Sequence, residues 1–319
     1  MSTVQPPRRY AILGTGALGG YYGARLAHAG IEVHFLARSD ARHIQRHGLK
    51  VESVEGDFSI DRPHVHEDPA DMPAVDVAAV CIKATHNHLL AKLLGPLLGP
   101  DTTVLVLQNG LEVDRDAAAV AGDDRVVGGL CFLCSNKVGP GHIRHLDYGH
   151  MTLGEYDPGR APRGITGRLR RIGADFERAG ITVELSEDLY LARWKKLAWN
   201  IPFNGLSVLL DATTDRLMAE PPTRELARLL MQEVAAGAAA CGRHIEEAFL
   251  DRLLDYTARM KPYRTSMKLD HDHHRPMEVK AIFGQPVRIA AEHGTHLPRI
   301  DTLYRQLQYL NAATATPQP

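Results

Sequence analysis

The sequence lacks an excess of charge of either sign. Its 319 residues include 37 lysines and arginines against 38 aspartates and glutamates, which gives a formal net charge of −1 at pH 7. A nucleic-acid-binding surface normally concentrates basic charge. We therefore expect no nucleic-acid partner.

Long hydrophobic runs and cysteines are also scarce. No apolar run approaches the ~20 residues that a membrane-spanning helix needs, and the leading MSTVQPPRR lacks the apolar core of a signal peptide. Of four cysteines, Cys131 and Cys134 have C-x-x-C spacing but stand in an apolar run with no second pair, and Cys81 lies in an apolar strand. We expect a reduced, cytoplasmic protein with no membrane partner.

A glycine motif is the most informative feature that is present. A short apolar run ends at Leu13, and glycines follow at G-x-G-x-x-G spacing before a helical pattern. In a dinucleotide site the first glycine permits a tight turn, the second a close approach to the pyrophosphate, and the third close helix–strand packing. The alternative is a tight turn without a ligand. The predicted cofactor-binding residues of this loop are Gly14, Gly16, Ala17, Leu18 and Gly19.

The end of the second predicted strand indicates which dinucleotide binds. NAD-binding proteins carry an acidic residue there, whereas an arginine accommodates the 2′-phosphate of NADP. This strand, Ile31–Leu36, is followed by Ala37 and Arg38, and Glu32 lies at its opposite end. We predict NADPH as the cofactor and Arg38 as the phosphate ligand; the alternative is a solvated charge.

The order of elements predicts an α/β fold. Apolar strands alternate with helices through the first half, which is typical of a Rossmann-type doubly wound sheet. We expect residues 141–156 to form antiparallel hairpin strands that close the sheet, a helix over 86–98, and helices throughout after Glu187. The predicted domains are 1–187, which binds NADP, and an all-α substrate-binding and catalytic domain at 188–319, with a disordered tail after Asn311.

Polar residues follow two further strands of the first half. Lys83 comes after the strand that ends at Ile82, and Asn109 precedes Gly110 after another. Open α/β sheets bind ligands at this edge. Each residue alone is more typical of a turn than of a site; together they favour a ligand-facing edge.

A polar line begins the predicted helical domain. Lys196, Asn200 and Asn204 are four residues apart, so they share one helix face with a drift of about 40° per step. A polar stripe ordinarily faces water. Against that reading, asparagine is a poor helix former, and Pro202 lies within the helix. These local costs favour a functional site.

The chain resembles the ketopantoate reductase, or 2-dehydropantoate 2-reductase, family of the 6-phosphogluconate-dehydrogenase-like superfamily. The resemblance covers nearly the whole length. The motifs that carry it are GTGALGG, Cys81-Ile82-Lys83-Ala84, Gln108-Asn109-Gly110, the 196–204 run, Thr265-Ser266-Met267 and Glu278. It implies an N-terminal Rossmann domain followed by a helical domain, and a homodimer as one possibility.

The resemblance also implies roles. Lys196 would be the catalytic general acid, and Glu278 would bind the substrate hydroxyl and help to organise Lys196. Substrate-binding roles fall on Asn109, Asn200, Asn204 and Ser266, while Lys83 and Asn109 would lie where nicotinamide and substrate meet. The implied reaction is NADPH-dependent reduction of a 2-oxo acid to a 2-hydroxy acid, with 2-dehydropantoate as first choice. The alternatives are another branched 2-oxo acid, or a non-catalytic NADP-binding sensor.

The sequence departs from the family pattern at the substrate side. Met277 precedes Glu278 where the family typically has threonine, and Asp211 or Thr214 stands near the position of a further substrate-binding asparagine. These differences bear on which oxo acid binds. The run His271–His274 contains potential metal ligands, but contiguous residues seldom converge on one ion, and we predict no metal site.

Overall fold

A computed structural model describes residues 8–315, with side chains described to residue 312. The chain divides into two compact units. The first consists of Met1–Gln108 and Val113–Tyr190, and the second of Asn109–Glu112 and Leu191–Pro319. The short segment Asn109–Glu112, which follows a strand of the first unit, thus belongs with the helical residues.

The strands of the first unit form one ten-stranded sheet. They are β1 (Tyr10–Leu13), β2 (Val33–Leu36), β3 (Leu49–Ser53), β4 (Phe58–Ile60), β5 (His64–His66), β6 (Val77–Val80), β7 (Thr103–Val106), β8 (Val126–Gly139), β9 (His142–Glu155) and β10 (Val183–Ser186). Their order is β4-β3-β9-β8-β7-β6-β1-β2-β5, with β10 paired to β9.

The parallel part of the sheet confirms the Rossmann-type α/β prediction. Strand β1 pairs in parallel with β2 on one side and with β6 on the other. The chain therefore reverses its direction of travel through the sheet at β1, which is the switch point where open α/β sheets bind ligands. The glycine loop follows β1 at that point.

The second half of the sheet differs from the prediction. Residues 142–155 do pair antiparallel with β8, but they form one long strand inside the sheet, with β3 and β10 parallel to it. Register shifts in the hairpin and left-handed backbone at Tyr148 and Gly149 absorb the glycine breaks as bulges. The glycines therefore bend the strand instead of dividing it.

Helices cover the sheet of the first unit. They are α1 (Ala17–His28), α2 (Ala41–His47), α3 (Leu90–Leu94), α4 (Val113–Ala121) and α5 (Gly167–Arg178). The prediction of a continuous helix over 86–98 is wrong, because 3₁₀ turns at Ala84–Leu89 and Gly95–Leu97 flank a short α3. Pro96 cannot supply a helical amide, which limits the length of α3.

The second unit is helical, as predicted. Its helices are α6 (Leu189–Leu209), α7 (Thr214–Ala219), α8 (Pro221–Ala240), α9 (Glu247–Arg259), α10 (Ser266–Asp272), α11 (Gln285–Glu292) and α12 (Pro298–Ala315). Helix α12 continues through residues 312–315, where a disordered tail was expected, since alanine is the best helix former; residues 316–319 lie outside the described part. Of the helices in residues 8–315, none has both the length and the apolar character to cross a membrane.

Candidate active site

Protein packing explains two of the three motif glycines. Gly14 has φ +107°, and a Cβ added there would lie 2.9 Å from Cγ2 of Ile82. A Cβ on Gly19 would lie only 2.2 Å from the Gly14 carbonyl oxygen and 2.8 Å from the Cβ of Cys81. Both positions therefore require glycine whether or not a ligand binds.

Gly16 is different, because no steric contact in the described part of the protein requires a glycine there. Its φ of −87° suits any residue, and an added Cβ would meet no described atom within 4 Å. The helix that follows, α1, has no side-chain cap and no acidic residue in its first turn. Its first amides are available for an anion, and the open space at Gly16 is where a pyrophosphate would approach.

A hydrogen bond not anticipated from the sequence joins the glycine loop to β2. The hydroxyl of Thr15, which is buried, donates to the carbonyl oxygen of Leu36 at 3.0 Å. Leu36 is the last residue of β2, two positions before Arg38. The loop that would hold the pyrophosphate and the strand end that would hold the ribose phosphate are thus fixed to each other.

The end of β2 is positively charged. The Glu32 carboxylate, at the start of the strand, already has two partners: it accepts hydrogen bonds from Arg9 at 2.6 Å and from His34 at 3.0 Å. Arg38 is exposed, and its guanidinium forms no hydrogen bond or ion pair with the part of the chain that is described. An arginine that no described acid engages suits a phosphate.

Lys83 and Gln108 lie at the corresponding ends of β6 and β7. Lys83 is half-buried and precedes the 3₁₀ turn Ala84–Leu89. The buried Gln108 donates from Nε2 to the Ile82 carbonyl at 2.8 Å and to Oδ1 of Asn87 at 2.7 Å. Sequence reasoning singled out Gln108 only as part of a motif; its bonds fix the segment that carries Lys83 against the end of β7.

The polar line on α6 is buried, which overturns the reading of a water-facing stripe. Lys196, Asn200 and Asn204 are 9%, 6% and 3% exposed. They lie on one face of α6, a helix whose Trp194 and Phe203 are also fully buried. Burying a lysine and two amides costs free energy unless they have partners, so their placement indicates a site.

The two asparagines retain polar atoms without a partner. Nδ2 of Asn200 and Oδ1 of Asn204 are inaccessible to solvent, and neither forms a hydrogen bond with the described residues. An unsatisfied buried polar atom costs roughly 1–3 kcal/mol. Such atoms are rare in native proteins and call for a reason; a substrate that accepts from one amide and donates to the other would provide it.

The second unit also brings Asn109 and Glu278 into neighbouring segments. Gly110 has φ +102°, and a Cβ there would lie 2.5 Å from the carbonyl oxygen of Ala281, one helical turn after Glu278. The Leu111 amide donates to the same oxygen at 3.0 Å. Glu278 is 8% exposed and Asn109 half-buried. A π-helical turn, Lys280–Gly284, follows Glu278, and π-turns are frequent at functional sites.

Ser266 occupies a less enclosed place than the other predicted substrate ligands. It is exposed as the first residue of α10, while the preceding Thr265 caps the helix through the Lys268 amide. The Thr265 hydroxyl lies 2.8 Å from that of Ser207 on α6. This bond holds the start of α10 beside α6, three residues beyond Asn204.

Asp211 and Thr214 already have partners within the protein. The Asp211 carboxylate lies 2.6 Å from Nζ of the buried Lys268, and the Thr214 hydroxyl accepts from the Tyr263 amide at 3.2 Å. A second carboxylate, that of Asp272 in the histidine-rich run, also contacts Lys268. Within the residues described, no three His, Cys, Asp or Glu side chains are placed to hold one metal ion.

Comparison with known proteins identifies the family. Residues 10–158 match the model of "Ketopantoate reductase PanE/ApbA", and residues 188–311 match that of its C-terminal part. A 2-dehydropantoate 2-reductase of Nostoc sp. (strain PCC 7120) is 56% identical over 311 residues, covering 98% of each chain.

Solved structures agree with this result. A 2-dehydropantoate 2-reductase from Geobacter metallireducens superposes with a TM-score of 0.91 at 40% identity, over 94% of this chain and 99% of that one. One from Methylococcus capsulatus gives 0.87 at 32% identity, over 97% and 98%. The glycine loop, the buried lysine–asparagine line and these matches together show that the chain belongs to the ketopantoate reductase family.

Proposed function

We propose that this chain catalyses the NADPH-dependent reduction of 2-dehydropantoate to pantoate. The observation that carries the proposal is the buried line of Lys196, Asn200 and Asn204, in which Nδ2 of Asn200 and Oδ1 of Asn204 form no hydrogen bond with the described residues. Membership of the ketopantoate reductase family and the 56% identical Nostoc sp. relative support the choice of substrate. An NADP-binding sensor would need neither a buried lysine nor a buried Glu278.

In this proposal one domain binds the cofactor and the other binds the substrate. Residues 1–187 bind NADPH, with the α1 amides beside Gly16 facing the pyrophosphate and Arg38 binding the 2′-phosphate. Residues 188–319, together with Asn109, bind the substrate. The open space at Gly16 and the uncommitted Arg38 fit this cofactor. NADPH, when bound, supplies the hydride for the 2-oxo carbon.

The chain's own residues supply the proton and the orientation. Lys196 donates a proton to the substrate's carbonyl oxygen as negative charge develops there, which a buried ammonium stabilises strongly. Glu278 binds the hydroxyl of the substrate and orients Lys196. The amides of Asn109, Asn200 and Asn204, with the Ser266 hydroxyl, bind the carboxylate without adding charge.

A panel assay tests the reaction. We expect NADPH oxidation to be faster with 2-dehydropantoate than with other branched 2-oxo acids.

We also expect Lys196→Ala to lower kcat by more than ~100-fold, the usual scale for a general acid. Lys195→Ala is the matched control, because Lys195 packs over the Phe249 ring instead. Faster turnover of another oxo acid would identify that acid as the preferred substrate, whereas full activity of Lys196→Ala would refute its role as the general acid.

We also propose a cellular location and an oligomeric state for the protein. We place the protein in the cytoplasm, where its four cysteines, all free thiols in the structure, would stay reduced. Burial also raises the pKa of the Cys81 thiol well above its ordinary value, which makes it unreactive. The family resemblance favours a homodimer, and light scattering on the purified protein measures the mass.

A further inference from the structure

The first acidic residue after β2, Asp40, is turned away from the helix that follows it. Asp40 is the N-cap residue of α2, a position where an aspartate ordinarily accepts a hydrogen bond from an amide of the first helical turn. Here its side chain forms no such bond with α2, although the residue is only 6% exposed. Its carboxylate is therefore bound by groups outside that helix.

Two partners of this carboxylate come from the hairpin of β8 and β9, distant in sequence. Nζ of Lys137, near the end of β8, lies 2.5 Å from Oδ2 of Asp40, and the Gly141 amide donates to the same oxygen at 3.1 Å. The Ser39 hydroxyl donates to Oδ1 at 3.0 Å. Burial alone would raise the pKa of Asp40, but the hydrogen bonds from Lys137 and Gly141 outweigh it and lower the pKa below its ordinary value. Asp40 is thus an ionised carboxylate whose charge Lys137 compensates.

The hairpin turn is packed directly against α2. Gly141 has φ +59°, and a Cβ added there would lie 2.9 Å from the Gly48 carbonyl oxygen and 3.0 Å from Cγ1 of Ile44. This close approach needs a glycine. It keeps the Gly141 amide and the Lys137 ammonium beside Asp40.

Asp40 is close to the proposed phosphate ligand, Arg38. Two residues span at most about 7 Å of chain, and the Ala41 amide donates to the Arg38 carbonyl at 3.3 Å, so the segment between them forms a turn. The Debye length at physiological ionic strength is about 8 Å. Salt would therefore not isolate an anion bound at Arg38 from an uncompensated charge on Asp40.

A second acidic residue near this strand end, Glu67, is paired less closely. It follows β5, whose His66 carbonyl accepts from the Ala37 amide at 3.0 Å. Its carboxylate lies 4.0 Å from Arg42, and both side chains are largely exposed. Water screens such a pair, whereas the buried charge of Asp40 depends on its protein partners.

We propose that Lys137 is a specificity-determining residue, because it neutralises the Asp40 carboxylate and so keeps the end of β2 able to bind the 2′-phosphate of NADPH. The inference rests on the proposed function for the identity of the cofactor. In NAD-binding proteins an acidic residue in this region binds the ribose hydroxyls, and a 2′-phosphate is excluded. In this chain an acidic residue is present, but the β8–β9 hairpin binds its carboxylate and compensates its charge.

Fluorescence titrations with NADPH and NADH, without substrate, test the proposal. Lys137→Met removes the ammonium, while Gly141 and Ser39 still donate to the carboxylate and favour its ionised form. We expect the Kd for NADPH to rise about 3- to 10-fold relative to that for NADH, the scale of one charge acting on a dianion across ~10 Å near a protein surface. The rise should shrink in 1 M salt, where the Debye length is about 3 Å.

Two further variants show whether the charge on Asp40 is the cause. Asp40→Asn combined with Lys137→Met removes both charges and should return the ratio of the two Kd values to within about twofold of the wild-type ratio. Lys50→Met is the matched control, because Lys50 on β3 also pairs with a carboxylate, that of Glu52 at 3.0 Å. This control should leave the ratio unchanged.

The outcomes separate a failure of this inference from a failure of the proposed function. Equal weakening of NADPH and NADH binding by Lys137→Met would make the ion pair a structural contact and overturn the inference. A double variant that binds NADPH as weakly as Lys137→Met would also overturn it, since Lys137 would then act on the phosphate directly. If wild-type protein does not prefer NADPH and Arg38→Ala has no effect, the proposed cofactor is wrong and the inference fails with it.

Circular dichroism reports whether each variant is folded. If Lys137→Met is unfolded, Lys137→Gln takes its place, because a glutamine can still donate a hydrogen bond to the Asp40 carboxylate without compensating its charge. The same rise in the Kd for NADPH relative to that for NADH is then expected, and an unchanged ratio would refute the role of Lys137.

Discussion

At the scale of single residues, Arg38 is the strongest test of cofactor choice. Arg38→Ala removes a guanidinium that forms no hydrogen bond or ion pair with the described residues, so stability should change little. Hydrogen bonds to charged groups contribute roughly 1.5–3 kcal/mol. We expect the Kd for NADPH to rise about 10- to 100-fold and the Kd for NADH to stay nearly constant. Equal loss with both cofactors would place Arg38 outside the phosphate site.

Gly16 and Gly19 separate ligand approach from packing. Gly16→Ala adds a methyl group to open space at the start of α1, so it should destabilise the fold by less than about 1 kcal/mol, while the Kd for NADPH rises at least tenfold because the pyrophosphate loses its close approach. Gly19→Ala forces the new Cβ against the Gly14 carbonyl and should destabilise the fold by roughly 1–3 kcal/mol. Calorimetric melting and cofactor titration measure both. If Gly16→Ala bound NADPH as tightly as the wild type, the approach of the cofactor would not require a glycine at this position.

At the scale of elements, the β2–β5 edge predicts a pH-dependent stability. His34 Nδ1 on β2 lies 3.0 Å from His66 Nε2 on β5, and burial lowers the pKa of both rings below the ordinary 6.5. Protons thus bind more readily to the unfolded chain. This contribution to stability is complete above about pH 6.5 and is lost as the pH falls through the lower, folded-state pKa values.

Urea unfolding at several pH values between 8 and 5 measures this effect. We expect the free energy of unfolding of wild-type protein to fall towards pH 5, and His34→Gln to show a smaller fall, because it removes one of the two depressed groups. His296→Gln, at an exposed position, is the control and should follow the wild type. Parallel curves for His34→Gln and wild type would show that other groups cause the acid sensitivity.

At the scale of the whole molecule, the proposed cofactor and substrate ligands fall in different compact units, apart from Asn109. Substitutions in one unit should therefore separate the two binding functions. Asn200→Leu removes a buried donor without a partner, so the melting temperature should stay equal or rise. The KM for 2-dehydropantoate should rise about tenfold or more, while the Kd for NADPH stays unchanged.

Ser207→Ala provides the opposite case on the same helix. Its buried hydroxyl is satisfied by Thr265 and by the Asn204 carbonyl, so its removal should lower the melting temperature and change the KM for substrate far less. If Asn200→Leu instead destabilised the protein and left KM unchanged, the unpartnered amide would be structural.

Local sequence was sufficient for the architecture. The strand–glycine–helix order around Gly14 predicts a dinucleotide fold because turn geometry and helix termini are short-range properties. The switch from alternating strands to helices near residue 187 predicts the helical second half for the same reason. The spacing of Lys196, Asn200 and Asn204 placed them on one face, since helix geometry alone determines that.

Only the tertiary structure decided what those residues face. Spacing cannot tell a solvated polar stripe from a buried one, because burial depends on helices distant in sequence. The sequence likewise could not show that packing does not require a glycine at position 16, or that Asp211 forms an ion pair with Lys268. Nor could it show that the hairpin strands expected after Gly141 form one bulged strand. The segment after β7 lies in the helical unit for the same reason: long-range packing, not local preference, determines which groups come together.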